Sequence, residues 1–244
     1  MNDKIRGKLK DEFQNSDKLK ESIPNFINDK YLGGNNEKYM KMYNWMSRGY
    51  DIVETVVGKL KYGNEVDKMR KAIMDKLEWK ENISVLYVSI GTGKDLKFIP
   101  NKIDKSSLNI CGADISLGML KKCKKNYNEK LDISLINCCA EDLPFKDNSF
   151  DIVFHVGGIN FFNDIQSALN EMYRVAKSGT RLLIADETND LITQQYKKSS
   201  LSKKYFKDVQ MNLAEIKSLI PSKSFDIQTD ILWNGKFYCT TFRK

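Results

Sequence analysis

A glycine-rich turn in the first half of the chain is the first place where the sequence could bind a ligand. Gly91 and Gly93 follow a short apolar run at residues 83–90. Glycine lets backbone approach a ligand closely, and open α/β sheets bind ligands at the carboxyl ends of their strands. Leu96 stands where a dinucleotide-binding pattern has its third glycine, and no Gly-Lys-Ser/Thr sequence completes a phosphate-binding loop. The turn therefore favours a ligand without a pyrophosphate.

An acidic residue stands where it could complete such a site. Asp114 lies near the end of a second apolar run at residues 108–115, 21 residues after Gly93. A carboxylate at this place suits the hydroxyl groups of a ribose. The alternative is a helix N-terminal charge, which contributes about 0.3–1 kcal/mol. With the glycine turn before it, nucleoside binding is the favoured interpretation.

These residues need a sheet to bring them together, and the chain contains the runs for one. Five short, apolar, β-branched runs alternate with helical patterns, which predicts a parallel sheet with crossover helices. The five runs are 83–90, 108–115, 131–138, 149–156 and 180–186. Two more strands, 225–233 and 236–244, flank Asn234-Gly235, a pair typical of a type I′ turn. The predicted fold class is α/β, a doubly wound, mostly parallel, seven-stranded Rossmann-like sheet ending in an antiparallel hairpin.

Helical patterns surround these runs. Ser116 is expected to cap a helix over 117–127, and another helix is predicted near 164–177. Residues 1–80 are mostly helical in pattern, with apolar stripes at 40–46 and 52–60 and a helix near 64–77. Such stripes need a surface to cover. We therefore predict an N-terminal helical cap over 1–80 and a ligand-binding domain over 81–244.

Composition narrows the possible function classes. The chain has 244 residues, a net charge of +8 and 41% hydrophobic residues, an ordinary globular composition. Residues 1–80 carry 17 basic and 13 acidic side chains, so about half of the excess lies there and no nucleic-acid patch is indicated. No apolar run approaches the ~18–20 residues that cross a membrane, and the N-terminus lacks an apolar signal core. Five cysteines without a CxxC pair, with one histidine, disfavour disulfides and a metal site and favour a cytoplasmic chain.

A third segment suggests a family. The stretch Cys139-Ala140-Glu141-Asp142-Leu143-Pro144-Phe145, which continues into SFDIVF, resembles a segment of class I S-adenosylmethionine-dependent methyltransferases. VLYVSIGTG resembles their first motif, ADIS their second, and EMYRVAKSGTRLLIADE their fifth-strand motif. The four motifs occur in order over about residues 83–187. The subgroup that the chain resembles is the small-molecule methyltransferases of ubiquinone and menaquinone biosynthesis, and SRGYDIVE at 47–54 resembles the Tyr-Asp element before their sheet.

The resemblance implies S-adenosylmethionine as cofactor, a small-molecule acceptor and in-line transfer of the methyl group. It implies that the glycine turn lines the amino-acid and ribose region, that Asp114 holds the ribose diol and that Ile115 packs on the adenine. The implied cofactor residues are Ser89, Gly91, Gly93, Asp114, Ile115, Ala140, Glu141, His155 and Tyr50. The implied acceptor pocket comprises Tyr43, Trp45, Gly158, Asn160 and Phe161.

His155, the only histidine, is the candidate catalytic residue. It falls at the end of the fourth predicted strand, and a pKa of ~6.5 suits a proton acceptor near neutral pH. The alternative is that the ring packs there with one nitrogen satisfied by backbone. That alternative is favoured, because an amine or thiolate acceptor needs no base in the transition state.

The chain also departs from the family pattern. Tyr87 stands where the first motif usually has an acid, Ser89 where it has glycine, and Cys139 where an aspartate is common. Tyr87 and Ser89 favour one alternative, a binding protein that kept the fold and lost activity. A nucleic-acid methyltransferase is less favoured, since His155-Val-Gly-Gly replaces its Asp/Asn-Pro-Pro-Tyr signature. The quinone group's N-terminal signature is matched only at Tyr50-Asp51, so a quinone acceptor is not predicted.

Overall fold

A seven-stranded sheet is the framework of the computed structural model, which describes residues 3–47, 49, 62–127, 130–192 and 212–244. The strands are β1 (Ser84–Val88), β2 (Asn109–Asp114), β3 (Ile133–Asn137), β4 (Ile152–Val156), β5 (Arg181–Glu187), β6 (Phe225–Leu232) and β7 (Phe237–Arg243). Their spatial order is β3-β2-β1-β4-β5-β7-β6. The first five strands are parallel, and β7 is antiparallel to both β5 and β6.

The parallel strands end at one edge because of their register. Val88 pairs with Ala113 of β2 on one side and with His155 of β4 on the other. Every residue of β1, β2 and β4 is buried, which explains why these strands appear in the sequence as continuous apolar runs and not as alternating ones. Residues directly after these strands are thereby brought side by side.

Helices cover both faces of the sheet. They are α1 (Asp3–Arg6), α2 (Asp11–Gln14), α3 (Gly34–Met46), α4 (Glu65–Met74), α5 (Leu117–Tyr127), α6 (Ile165–Val175), α7 (Asn189–Leu191) and α8 (Leu213–Ser218). Short 3₁₀ helices occupy Asp17–Lys20, Asp29–Tyr31, Lys94–Phe98, Lys105–Ser107 and Ile159–Phe161. Ser116 caps α5 as predicted, since its Oγ accepts from the Met119 N–H at 3.2 Å. Among the helices of these ranges, none combines the length and apolar character needed to cross a membrane.

The two faces carry separate apolar clusters. Alternate residues of β1 enter them, with Leu86 and Val88 in one and Val85 and Tyr87 in the other. The first cluster includes Leu169 and Met172 of α6 together with Ile5, Leu9, Tyr39 and Met42 from the N-terminal helices and the turn after α1. The second includes Met69 and Ile73 of α4 and Leu120 and Cys123 of α5. The predicted doubly wound α/β class is confirmed.

The C-terminal hairpin is also confirmed. Asn234 and Gly235 have φ of 52° and 85°, and the Lys236 N–H donates to the Trp233 carbonyl at 3.2 Å. This is the type I′ geometry that Asn-Gly favours. The position of β7 between β5 and β6 was not predicted, because strand pairing depends on contacts far apart in the chain.

The N-terminal cap is described in part. Residues 3–47 pack directly against the first apolar cluster, and the predicted helix at 64–77 spans Glu65–Met74. The apolar stripe at 52–60 lies outside the described residues. The division into a cap over 1–80 and a domain over 81–244 stays a prediction.

Candidate functional site

A small cavity, with about 20 Å³ of space open to a water-sized sphere, lies at the carboxyl ends of β1, β2 and β3. Its lining residues at the strand ends are Val88, Ser89, Ala113, Asp114, Ile115, Cys138, Ala140 and Glu141, and Asn36 and Phe162 complete the wall. Five of the residues implied to bind cofactor thus meet at one cavity. The sheet explains this, because strands in parallel register end at the same edge.

Asp114 is the acidic group of this cavity. Its side chain is buried, and its two carboxylate oxygens accept from the Gly91 and Ser116 N–H groups, both at 2.8 Å. Burial raises the pKa of Asp114 to about 6, against the lowering effect of these two backbone donors. Each carboxylate oxygen can accept a further hydrogen bond. Asp114 can therefore bind the hydroxyl groups of a ligand while it holds the glycine turn.

The two glycines of the turn have different roles. Gly91 and Gly93 both adopt left-handed backbone, with φ of 56° and 80°. A Cβ on Gly91 would meet no atom within 4 Å, so this position leaves space for a ligand. A Cβ on Gly93 would lie 2.8 Å from Tyr127 Cε2 and 2.9 Å from Cys123 Sγ. Gly93 is thus required for the packing of α5 against the turn.

Asp95 is a buried acid beside the glycine turn, although Tyr87 replaces the acid that is usual in the first motif. Tyr87 is almost fully buried, and its hydroxyl donates to Asp95 Oδ2 at 2.5 Å. Arg70 Nη1 donates to both Asp95 carboxylate oxygens at 2.8 Å. Burial raises the pKa of Tyr87 well above its usual value, so this hydroxyl stays protonated and donates. Asp95, which follows the turn, supplies the carboxylate that the strand itself lacks.

Glu141 and Asn36 join the cavity wall to the start of α3. Glu141 Oε1 accepts from Asn36 Nδ2 and from the Asn163 N–H, both at 3.0 Å. Glu141 and Asn36 are 3% and 4% exposed. Glu141, which the resemblance implied to bind the cofactor, is therefore engaged through Oε1 in holding two distant segments together.

His155 lies just beneath the cavity. Its ring is fully buried, with Nδ1 3.2 Å from the Val88 carbonyl oxygen and the ring edge-on to Phe162 at 5.2 Å between centroids. A bond to a carbonyl requires the proton on Nδ1, so Nε2 carries a lone pair, and it has no hydrogen-bond partner among the described residues. Burial lowers the pKa of His155 to about 4. The imidazole is therefore neutral near pH 7.

The loop after β4 brings together part of the implied acceptor pocket. Phe161 stacks on Tyr39 at 4.2 Å and lies 6.2 Å from Tyr43, measured between ring centroids. Asp186 at the end of β5 fixes this loop, since Oδ2 accepts from the Gly158 and Ile159 N–H groups at 3.1 and 2.8 Å. Burial raises the pKa of Asp186 to about 6, against several backbone donors.

The other implied pocket residues differ in their placement. Trp45 on α3 is 80% exposed, whereas Asn160 is half-buried in the same loop after β4 as Phe161. Tyr50 lies outside the described residues. Roles in binding or catalysis for all of the implied site residues stay predictions.

Several functional candidates were not found from the sequence. Asn36, Asp95, Phe162, Asn163 and Asp186 contribute to the walls or to the loops behind them. Asp186 ends β5 as Asp114 ends β2, so its position at a strand end was a usable signal. Asn36 and Asn163 carry no local pattern, because their contacts join segments 127 residues apart.

Comparison with known proteins identifies relatives. The ubiE/COQ5 methyltransferase family matches residues 32–220. The ubiquinone/menaquinone biosynthesis C-methyltransferase of Geotalea daltonii is 30% identical over 155 residues, covering 62% of this chain and 63% of that protein. The demethylmenaquinone methyltransferase of Listeria monocytogenes is 33% identical over 153 residues, covering 62% of each chain. The chain thus spans less than two thirds of the length of these relatives.

Solved structures share the fold at low identity. A possible histamine N-methyltransferase of Thermotoga maritima has a TM-score of 0.60 at 19% identity, covering 84% of this chain and 99% of its own. The second is a phosphoethanolamine N-methyltransferase of Haemonchus contortus in complex with phosphomonomethylethanolamine and S-adenosylhomocysteine. It has a TM-score of 0.58 at 17% identity and covers 72% of this chain and 52% of its own. At these identities the likeness concerns the fold alone.

Proposed function

Since this chain belongs to the ubiE/COQ5 methyltransferase family, we propose that it transfers the methyl group of S-adenosylmethionine to a small-molecule acceptor. The observation that carries the proposal is the position of Asp114. Its carboxylate lies on the cavity wall, is fixed by the N–H groups of Gly91 and Ser116, and keeps acceptor capacity for a diol.

The residues present fit this cofactor. A ribose diol requires a fixed acceptor, which Asp114 provides, and a bulky ligand requires open backbone, which Gly91 provides. The flat base requires apolar surface, which Ile115 and Ala140 offer on the same cavity wall. These side chains would hold the adenosyl part, as the family resemblance implies.

The chain contributes positioning and exclusion of water. When bound, S-adenosylmethionine would supply a methyl group on a sulfonium sulfur. The sulfur would keep the electrons of the broken S–CH₃ bond as an electron pair of the acceptor attacks the methyl carbon. Well-aligned reactants can gain ~7–11 kcal/mol from positioning alone. The strand ends hold one side of the cavity, and α3 with Phe162 forms the opposite wall. This wall separates the cavity from water on that side.

His155 has a further role in this proposal, that of a neutral ring behind the cavity wall. The ring is fully buried and is not among the lining residues, but Val88 and Phe162, which touch it, both line the cavity. Its pKa of about 4 makes it a poor base at neutral pH. It fixes the Val88 carbonyl through Nδ1 and takes up no proton.

An aromatic or quinoid ring is the acceptor class to test first. The relatives are named for ubiquinone and menaquinone biosynthesis, a class that the N-terminal signature did not predict. Tyr39, Tyr43 and Phe161 place three aromatic rings together beside the loop after β4. Flat acceptors stack well on such rings.

Two measurements test the proposal. Calorimetric titration with S-adenosylhomocysteine should show saturable binding, and incubation with labelled S-adenosylmethionine and a panel of phenols, quinols and amines should transfer label to an acceptor. Binding without transfer to any acceptor, including those in a metabolite extract, would favour the binding protein suggested by Tyr87 and Ser89. Absence of binding would contradict the proposed function.

A further inference from the structure

Asn163 caps helix α3 from a distant part of the chain. The residue before the helix, Gly33, has no side chain to cap it. Asn163 Oδ1 accepts from the Asn35 and Asn36 N–H groups at 2.8 and 3.2 Å, and its Nδ2 donates to the Gly33 carbonyl at 2.9 Å. One amide oxygen therefore satisfies two N–H donors that the start of a helix otherwise leaves open. The Gly33 carbonyl, which accepts from the Glu37 N–H at 3.2 Å, takes a second bond from Asn163 Nδ2.

The close approach depends on glycine. A Cβ on Gly34 would lie 2.8 Å from Asn163 Oδ1, whereas a Cβ on Gly33 would meet no atom within 4 Å. The pair Gly33-Gly34 thus admits the Asn163 side chain to the helix start.

This cap lies at the rim of the cavity. Asn36 and Phe162 line the cavity, and they are chain neighbours of Asn35 and Asn163. The Asn163 N–H also donates to Glu141 Oε1 and, at 3.3 Å, to Asn36 Oδ1. The cap therefore joins α3 to the wall formed by the strand ends.

The size of the cavity indicates that one wall must move. The space open to a water-sized sphere is about 20 Å³, room for roughly one water and far below the ~300–1,000 Å³ of typical ligand sites. The strand ends are fixed by the sheet. Helix α3 is held at its far end by Asn44 Oδ1, which accepts from Ser116 Oγ and the Gly118 N–H at 2.8 Å. At its near end the buried bond from Asn36 Nδ2 to Glu141 is supplemented by the bonds to Asn163, whose side chain is exposed to water, which competes for such bonds.

We propose that Asn163 is a positioning residue that latches the start of α3 over the cavity, and that the cofactor enters and leaves when this latch opens. The inference rests on the proposed function in one respect, the identity of the cofactor. Asn163 is not among the lining residues, so its side chain acts through α3 and not on the ligand.

The test combines hydrogen exchange with binding kinetics. In Asn163→Ala without ligand, the amides of Asn35 and Asn36 should exchange at least about tenfold faster, since several hydrogen bonds are lost. The association and dissociation rates of S-adenosylhomocysteine should both rise severalfold. Asn170→Ala is the matched control, an exposed asparagine on α6 bonded only weakly to Gln166 at 3.4 Å, and it should change neither readout.

A second variant tests the latch from the other side. Gly34→Ala should displace the Asn163 side chain and reproduce both effects, whereas Gly63→Ala, at nearly the same φ (56° against 51°) but with nothing within 4 Å of its Cβ, should change neither readout. Unchanged exchange at Asn35 and Asn36 in Asn163→Ala would overturn the latch. Faster exchange with an unchanged association rate would overturn its control of entry. Failure of the wild-type protein to bind S-adenosylhomocysteine would instead overturn the proposed function, and control of cofactor entry with it.

Discussion

The two sides of the cavity are built in different ways. The strand-end side comes from residues that each follow a buried strand, and Asp114 there is held by backbone N–H groups of Gly91 and Ser116. The α3 side depends on hydrogen bonds between residues far apart in the chain. Asn36 bonds Glu141, 105 residues away, and Asn163, 127 residues away. The strand-end side follows from the parallel register of the sheet, whereas the α3 side forms only when folding brings distant segments together.

This difference separates a fixed wall from a wall that can shift. A strand end is held by ladders on both sides, so moving it would break the sheet. The start of α3 is held by a few polar bonds, those to Asn163 at the surface and the one to Glu141 buried, and regions held by few contacts open at lower free energy than the core. Ligand binding should therefore depend on the strand ends for affinity and on the α3 side for access.

The largest expected effect lies on the strand-end side. Asp114→Ala should weaken S-adenosylhomocysteine binding tenfold or more, because hydrogen bonds to a charged group contribute ~1.5–3 kcal/mol each. A loss of about 1.4 kcal/mol of binding free energy raises Kd tenfold. Calorimetric titration measures the change. Asp17→Ala, at a side chain 90% exposed, is the control and should bind normally. Equal affinity in a folded Asp114→Ala protein would contradict the role of the carboxylate.

Two glycines, each in a turn after a parallel strand, separate the cost of close packing from the cost of left-handed backbone. Gly93 and Gly157 have nearly equal φ, 80° and 81°, but only Gly93 has close neighbours, Tyr127 and Cys123. Alanine at Gly157 should lower the free energy of unfolding by ~1–2 kcal/mol, the cost of left-handed backbone. Gly93→Ala should lower it by a further ~1–3 kcal/mol because of overpacking. Urea denaturation measures both, and equal losses would mean that α5 adjusts without cost.

His155 tests the chemistry of the acceptor side. His155→Phe should lower turnover only severalfold, and cofactor affinity should fall with it, because the bond of ~0.5–1.5 kcal/mol to the Val88 carbonyl behind the cavity wall is lost. His155→Gln keeps an N–H donor for this carbonyl and should lose less. A general base would instead cost ~10²–10⁴-fold in both variants. The wild-type pH–rate profile should show no histidine inflection between pH 5 and 8, since the pKa is about 4.

The smallest expected effect is a pH dependence of cofactor binding. The pKa of Asp114 is raised to about 6, so its acceptor form is present above this pH and is lost as the pH falls through it. Between pH 7 and 5.5 the ionised fraction falls roughly fourfold, and the Kd for S-adenosylhomocysteine should rise by a similar factor. In Asp114→Asn the Kd should be flat over this range. A parallel rise in that variant would assign the titration to another group.

Local patterns account for what the sequence predicted correctly. The five parallel strands and the turn at Asn234-Gly235 depend on residues close together in the chain, and so does the place of Asp114 at the end of β2. The grouping of Ser89, Ile115 and Glu141 then follows from the parallel register.

Long-range contacts account for what the sequence did not predict. Tyr87 was recognised as a departure, but its partner Asp95 and the ion pair with Arg70 depend on how α4 packs beside the turn. Nothing in the sequence around Asn163 indicates that it caps α3, because the contact joins segments far apart in the chain. The neutral state of His155 depends on complete burial, which a single histidine in a sequence does not reveal.

The position of β7 between β5 and β6 has a consequence for the order in which the molecule is completed. Phe237–Arg243 pairs with β5 over seven residues and also carries β6, although it is synthesised after both. Until β7 emerges, β5 presents an unpaired edge next to an apolar core, the kind of edge that promotes association between nascent chains. Protection of the growing polypeptide against aggregation therefore depends on how quickly this hairpin reaches β5 once it has been made.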